Sequence, residues 1–328
     1  MRFKAKLAPE QVSLLSSLVG SMRRLYEGSS SESNKVASGQ GYLTGGSILK
    51  VDSKKVLIST SGKGDADGVA FYCELTTRDG IFLEHRIDSA APDNAIAMEI
   101  GLGEFRVALR SIVANLETNN GFHASGEDAM KISTNNGRHT TTVLKLAKRE
   151  GVPCLCVETL TRDGVVTLSH AIPVRVMRVD EVDIAPPYVS VEDFHSGVPI
   201  GVDRNLRFIL ERLQGDCPHV CLETSAAGEL TLKSDGDGSC SVRTFFGKTK
   251  SRHGNSGGSR EPCKIKVDTK ILVSCLQWQQ SGIVSHVSSA LLCFAEDEML
   301  VVHVALSPSS LGFFTYSLPI HFLSDEDL

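Results

Sequence analysis

Two short stretches, TLSHAIPVRV at 167–176 and TYSLPIHF at 315–322, decide how this sequence is read. Each alternates apolar and polar residues, as a β-strand with one buried face does, and each carries a proline inside that pattern. Proline has no backbone N–H to donate to a sheet, so it is expected only at a sheet edge or near the end of a strand. Such an unusual strand, present at mid-chain and again at the end, indicates an internal duplication.

Helical segments support the duplication because they also come in matched pairs. Apolar residues with helical spacing predict four helices, and Gly, Asn, Asp and Pro separate the strand-like runs between them. Ile100 is followed by apolar residues at offsets of five and nine, and Val267 is followed in the same way. One order of strand, helix, strands, helix and strands therefore occurs twice, which predicts an α+β protein of two tandem similar domains. The predicted helices cover 9–26, 102–114, 202–214 and 269–280.

The length of 328 residues fits two domains of about 150 residues each. A segment with Pro186-Pro187 and three acidic residues separates the two copies and is expected to be an exposed connector. Three stretches rich in Gly, Ser and Asn interrupt the copies and are expected to be inserted surface loops. The predicted boundaries are 1–177 for the first domain with insertions at 27–46 and 115–139, 178–190 for the connector, and 188–328 for the second domain with an insertion at 251–261.

Several functional classes find little support in the sequence. No apolar run is long enough to span a membrane, no signal peptide is evident, and nine cysteines fit a reducing compartment, so we expect a protein that stays inside the cell without membrane contact. Neither a nucleotide-binding loop nor a nucleophile motif is found, and Cys217-Pro-His-Val-Cys221 lacks a second ligand pair. We expect no metal, no cofactor and no enzyme activity. An enzyme with an unrecognised His/Cys site stays open as an alternative.

Charge is distributed unevenly along the chain. The formal net charge is −5, yet each predicted helix carries one more Lys or Arg than Asp or Glu. Any surface helix has a solvated charged face, but basic helices in an acidic protein also suit a phosphate backbone. Arg204 and Arg207 are the strongest candidates, because they lie opposite the leucines on the most amphipathic segment. The complete set of predicted DNA-facing residues is Arg23, Arg24, Arg106, Arg110, Arg204, Arg207, Arg212 and Lys270.

A family resemblance rests on the order and spacing of several strand-like stretches. With its duplicated unit and basic helices, the chain resembles the sliding DNA clamps. Within them it is most similar to the hydroxyurea-sensitivity subunits of the nine-one-one checkpoint clamp, heterotrimeric relatives of the replicative clamp PCNA. The stretches that carry the resemblance are RFKAKL (2–7), VAFYCEL (69–75), PCLCVETL (153–160), HAIPVRVM (170–177), HVCLETSAAGELTLK (219–233) and YSLPIHF (316–322).

The resemblance implies a DNA-clamp fold with antiparallel sheets outside and two helices per domain lining the inner face. It implies a heterotrimeric ring with two other checkpoint clamp subunits, which encircles double-stranded DNA without sequence specificity at damaged or stalled sites. A clamp loader, and repair and checkpoint factors, are the further partners implied, with the nucleus as the main location and the cytoplasm as a second one. A self-assembling replicative processivity clamp is the alternative within this class.

Subunit contacts are also implied, because a clamp covers its edge strands by joining sheets between neighbours. The strand at 165–176 is expected to form one intersubunit edge and the strand at 239–247 the other. We therefore expect the isolated chain to be monomeric or prone to aggregation. The predicted interface residues are Val166, Leu168, His170, Ile172, Val174, Cys240, Val242, Thr244 and Phe246.

Overall fold

A computed structural model describes the chain at residues 1–29, 47–60, 68–78, 80–121, 140–161, 164–182, 184, 196–201, 205–225, 229–235, 241–246, 262–295 and 299–321. A helix is found in each of the four segments where periodicity predicts one, so these four predictions are confirmed, with shifted boundaries. The helices are α1 (Pro9–Ser29), α2 (Leu102–Gly121), α3 (Asn205–Leu213) and α4 (Thr269–Cys275).

The strands follow the predicted pattern of short alternating runs. Up to position 177 they are β1 (Arg2–Leu7), β2 (Ser47–Val51), β3 (Lys55–Thr60), β4 (Ala70–Thr76), β5 (Glu84–Asp88), β6 (Ile96–Ile100), β7 (Thr141–Arg149), β8 (Val152–Leu160) and β9 (Val166–Met177). The remaining strands are β10 (Ser196–Pro199), β11 (His219–Thr224), β12 (Leu230–Asp235), β13 (Ser241–Phe246), β14 (Lys264–Asp268), β15 (Val287–Ala295), β16 (Met299–Leu306) and β17 (Gly312–Pro319). In both halves a strand, a helix, several strands, a helix and three strands follow one another, which is the predicted repeated order.

The described chain forms two compact units, and neither is a continuous segment. The first unit comprises 1–20, 39–57 and 75–183, and the second comprises 21–38, 58–74 and 184–328. The elements α1, β3 and β4 are each divided between the units. Two tandem domains with the boundaries given above stay a prediction, because these units are assembled from non-adjacent parts of the chain.

The first unit is built on antiparallel strands in the order β2-β6-β9-β8-β7-β1-β5. Its strand β9 pairs with β8 as far as Pro173 and with β6 from Val174 onward. Pro173 therefore lies at the point where the pairing of β9 changes from β8 to β6. This position is how the strand accommodates a proline. Helix α2 packs against β8 and β9, and buries Phe105 and Leu109.

Two antiparallel sheets form the second unit. One contains the order β10-β15-β16-β17, and the other has the order β13-β12-β11-β14. Three aromatic rings lie in its core: the ring of Phe71 is 5.0 Å from that of Tyr316 and 6.1 Å from that of Phe314 between centroids. The second repeated proline, Pro319, is the last residue of β17, at the strand end where the missing N–H is tolerated.

The strand-to-helix junction β14–α4 shows why that helix begins where it does. Asp268, the last residue of β14, caps α4 by accepting a hydrogen bond of 2.9 Å from the backbone N–H of Ile271. The α-helical hydrogen bonding ends at Cys275, and the predicted segment continues as a 3-10 helix over Leu276–Gln280. Trp278 is completely buried within that 3-10 helix.

Two of the predicted loop insertions begin inside helices. Helix α1 continues to Ser29 and α2 to Gly121, so the expected starts at 27 and 115 are wrong. The apolar periodicity of each segment ends before its helix does, so the helix extends beyond the sequence signal. The insertion predicted at 251–261 lies outside the described residues, and of the connector 178–190 only Arg178 to Val182 and Ile184 are described.

Candidate nucleic-acid interface and subunit edges

Helix α2 presents two of the predicted basic residues at its surface. Arg110 is exposed, and Arg106, one turn earlier, is half-buried beside Gly20 of α1. A methyl group at position 20 would lie 3.7 Å from Nε of Arg106, an ordinary van der Waals distance, so this guanidinium lies close against α1. Val107 lies between the two arginines in sequence and is 60% exposed. A small-residue surface on α1 thus adjoins a cationic surface on α2.

On α1 the outward positions are small and polar. Ser13 is exposed, while Ser16, Ser17 and Gly20 are half-buried. Side chains of this size allow a bulky polymer to approach the helix backbone closely. Arg23 and Arg24 lie on α1, but their side chains are outside the part of the chain that the structure describes.

Helix α3 overturns the strongest prediction. Arg207 is only 2% exposed and forms an ion pair with Glu211 one turn later, so it does not belong to a solvent-facing basic stripe. In an α-helix it lies about 100° from Leu206, on the flank of the leucine stripe rather than opposite it. Helix α3 also packs against α4, and its buried residues include Arg207 beside Leu206 and Leu210. Its predicted companion Arg204 lies outside the described residues.

The exposed face of α3 carries a cation and an aromatic ring together. Arg212 is exposed, with its guanidinium carbon 4.2 Å from the centroid of the Phe208 ring. Lys270, the second residue of α4, is also exposed. Sequence reasoning did not single out Phe208, although its position four residues before Arg212 and off the leucine stripe was the available signal.

Part of strand β9 forms an open sheet edge on the first unit. On the side away from β8, the segment 166–173 of β9 has no paired strand among the described residues, since β6 begins to pair only at Val174. Val166 is 47% exposed, and Leu168 and His170 are half-buried. The Nε2 atom of His170 is buried without a hydrogen-bond partner in the described structure. These features are those of an open sheet edge.

The predicted interface set is corrected at its C-terminal end. Ile172 is 3% exposed and Val174 is 5% exposed, so both side chains belong to this chain's own core. Val174 also pairs with Ile100 on the side where an incoming strand would have to bind. Alternation along β9 continues past the open segment, which is why sequence reasoning extended the interface too far.

Strand β13 is the corresponding edge of the second unit. It is terminal in the order β13-β12-β11-β14 and pairs only with β12 among the described strands. Thr244 is half-buried. Val242 and Phe246 lie on the strand but their side chains are outside the described part, and Cys240 precedes the described residues of this strand.

Three thiols in the described core are poorly suited to nucleophilic catalysis. Burial raises the pKa of the Cys275 thiol well above its ordinary value and that of Cys293 to about 12. Burial, followed by the nearby Cys156, also raises the pKa of Cys154. A reactive cysteine needs the opposite shift, since the thiolate is the nucleophile. For His303, burial lowers the pKa of the imidazole.

Neither metal sites nor membrane helices are evident where the chain is described. Within those residues, no group of three or more His, Cys, Asp and Glu side chains is arranged to hold a metal ion. The helices there are also too short or too polar to cross a bilayer.

The comparison that decides the family covers most of the chain. Residues 31–321 match the model of the family described as Hus1-like protein. The chain belongs to the Hus1-like protein family. A Hus1-like chain has a role of the DNA-clamp type, and the Hus1-like and PCNA-like families are non-enzymatic scaffolds. The resemblance to checkpoint clamp subunits is confirmed by this match.

A solved structure supports the fold independently. The Hus1-like chain is similar to PCNA from Thermococcus kodakaraensis, with a TM-score of 0.60 and 13% sequence identity. The similarity covers 97% of this chain and 100% of that one. The predicted α+β clamp fold with large antiparallel sheets and few helices is therefore confirmed.

Proposed function

We propose that this Hus1-like chain is one subunit of a heterotrimeric checkpoint sliding clamp, which encircles DNA at damaged or stalled sites. The observation that carries the proposal is the pair of open strand edges, on β9 and on β13, within a clamp fold. An uncovered edge invites aggregation, and a ring covers each edge with a strand of a neighbour. The family match favours two different neighbouring subunits over copies of this chain.

The mass of the assembly tests this proposal. The chain is purified alone and after co-expression with the two other checkpoint clamp subunits of its source, and light scattering then gives the mass of each preparation. We expect a monomer or aggregates from the chain alone, and a one-to-one-to-one complex from the co-expression. A stable homotrimer of the chain alone would instead identify a self-assembling replicative clamp.

Within the ring, the surfaces of α1, α2, α3 and α4 are proposed to face double-stranded DNA. Arg110 and Lys270 are exposed cations on these helices, and Arg106 lies half-buried beside Gly20. Phosphate contacts carry no sequence information, so binding is expected to be independent of sequence and to weaken with salt. Such a surface holds DNA while allowing the ring to slide.

The remaining parts of the proposal follow from the same role. A closed ring needs a clamp loader to place it on DNA, and repair and checkpoint factors would use it as a platform. The chain would act in the nucleus, which imaging of a fluorescently tagged chain tests. It would act without catalysis: raised thiol pKa values support this against an enzyme with a His/Cys site.

A further inference from the structure

An aromatic side chain on α3 is exposed without serving the core of the chain. Phe208 is 51% exposed, whereas Leu206 and Leu210 of the same helix are buried. Phenylalanine is usually among the most buried residues, so the Phe208 ring is an apolar surface that this chain leaves available for a contact outside itself.

The chemistry beside the ring indicates the kind of contact. The guanidinium carbon of Arg212 lies 4.2 Å from the ring centroid, so a cation covers part of the ring while about half of the Phe208 surface stays in solvent. Aromatic rings and guanidinium planes both stack on nucleobases, and the positive charge favours a polyanion over an apolar protein surface. Glu211, the nearest carboxylate in sequence, is already paired with Arg207.

A second cation is held at the same end of the helix pair. The hydroxyl of Thr269 donates a hydrogen bond of 2.8 Å to the carbonyl of Cys217, and its backbone N–H donates one of 2.9 Å to the carbonyl of Pro218. These bonds join the start of α4 to the chain that leaves α3. Lys270, the next residue, is exposed there and can meet a phosphate.

We propose that Phe208 and Arg212 form a stacking site for one unpaired base of single-stranded DNA, with Lys270 binding a neighbouring phosphate. The inference rests on the proposed function only in that α3 faces DNA. A base inside a duplex has both faces covered by its neighbours, so duplex DNA would meet the cations but not the ring. The site therefore distinguishes single-stranded from duplex DNA within one clamp surface.

The test uses the full chain alone, because the whole site lies on its second unit. Fluorescence anisotropy at low salt measures binding to a labelled oligothymidylate of about 20 nucleotides and to a duplex of equal length. Phe208→Leu keeps an apolar side chain but removes the ring. We expect it to weaken single-strand binding about five-fold or more, and to change duplex binding by less than about two-fold.

Matched variants separate stacking from general effects. Leu83→Ala removes a comparably exposed apolar side chain outside the four helices and is expected to leave both affinities unchanged. Arg212→Lys keeps the charge but loses the stacking plane, so it should reduce single-strand binding more than duplex binding. Unchanged melting temperatures verify that each variant is folded.

Three results would overturn the inference. The first is that Phe208→Leu binds single-stranded DNA with the same affinity as the unsubstituted chain. The second is that Phe208→Leu loses affinity equally for single-stranded and duplex DNA. The third is that Phe208→Leu assembles less well with the other clamp subunits but binds DNA normally, which would mean that Phe208 contacts a protein. If the assembled ring still binds duplex DNA, only this inference fails; if neither chain nor ring binds any DNA, the proposed function fails as well.

Discussion

Helices α2 and α3 each carry two arginines among their described residues, and the structure uses them differently. On α2, Arg110 is exposed and Arg106 is half-buried beside Gly20. On α3, Arg212 is exposed but Arg207 is buried in an ion pair with Glu211. Equal numbers of arginines on two helices therefore do not give equal cationic surfaces, because the width of the buried face decides which charges reach solvent.

Reversal of charge at Arg207 has the largest expected effect. In Arg207→Glu a carboxylate would replace the guanidinium in the buried position, facing Glu211 one turn away. We expect the free energy of unfolding to fall by about 3 kcal/mol, the scale for breaking a buried ion pair. Urea denaturation followed by the fluorescence of the buried Trp278 measures this.

Arg212→Glu is the matched control for that prediction, since it makes the same change at an exposed position of the same helix. It should cost less than about 1 kcal/mol, the range of exposed charges. If both variants were equally stable, Arg207 would be a surface residue and the contrast between α2 and α3 would disappear.

The sequence predicted the elements well but the exposure of individual charges poorly. Helical periodicity depends on residues that repeat along one segment, so α2 and α3 could be located from local pattern alone. The burial of Arg207 depends on the tertiary packing of α3, whose partner α4 lies about 60 residues further along the chain. The open segment of β9 likewise depends on where β6 begins to pair, which alternation within β9 does not reveal.

A second prediction concerns DNA binding by the assembled ring. Arg110→Ala removes an exposed cation from α2. The slope of log affinity against log salt for duplex DNA is negative, and its magnitude should become smaller by about 0.9. Arg207→Met, which keeps a long apolar side chain in the buried position, should leave that slope unchanged. Anisotropy titrations of a labelled duplex over a salt series measure both slopes. A larger change for Arg207→Met than for Arg110→Ala would reverse the assignment of the two helices.

The smallest expected effect belongs to the contact between α1 and α2. Gly20 lies inside α1, where glycine is less favourable than alanine by about 0.5–1 kcal/mol. The added methyl of Gly20→Ala would meet Nε of Arg106 at 3.7 Å, an ordinary van der Waals distance. We therefore expect a stability gain of about 0.5–1 kcal/mol in urea denaturation, with duplex binding by the ring unchanged.

Gly151→Ala is the contrasting glycine substitution. No atom lies within 4 Å of a methyl group added there, so packing alone would predict no cost. Its φ of +84°, however, lies in the left-handed region, where a side chain is strained, and we expect a loss of about 1 kcal/mol. Opposite signs at the two positions would show that backbone conformation, rather than space for a methyl group, decides the cost of replacing each glycine. A loss of stability at position 20 would instead mean that Arg106 cannot yield to a methyl group, and that the surface of α2 is fixed by α1.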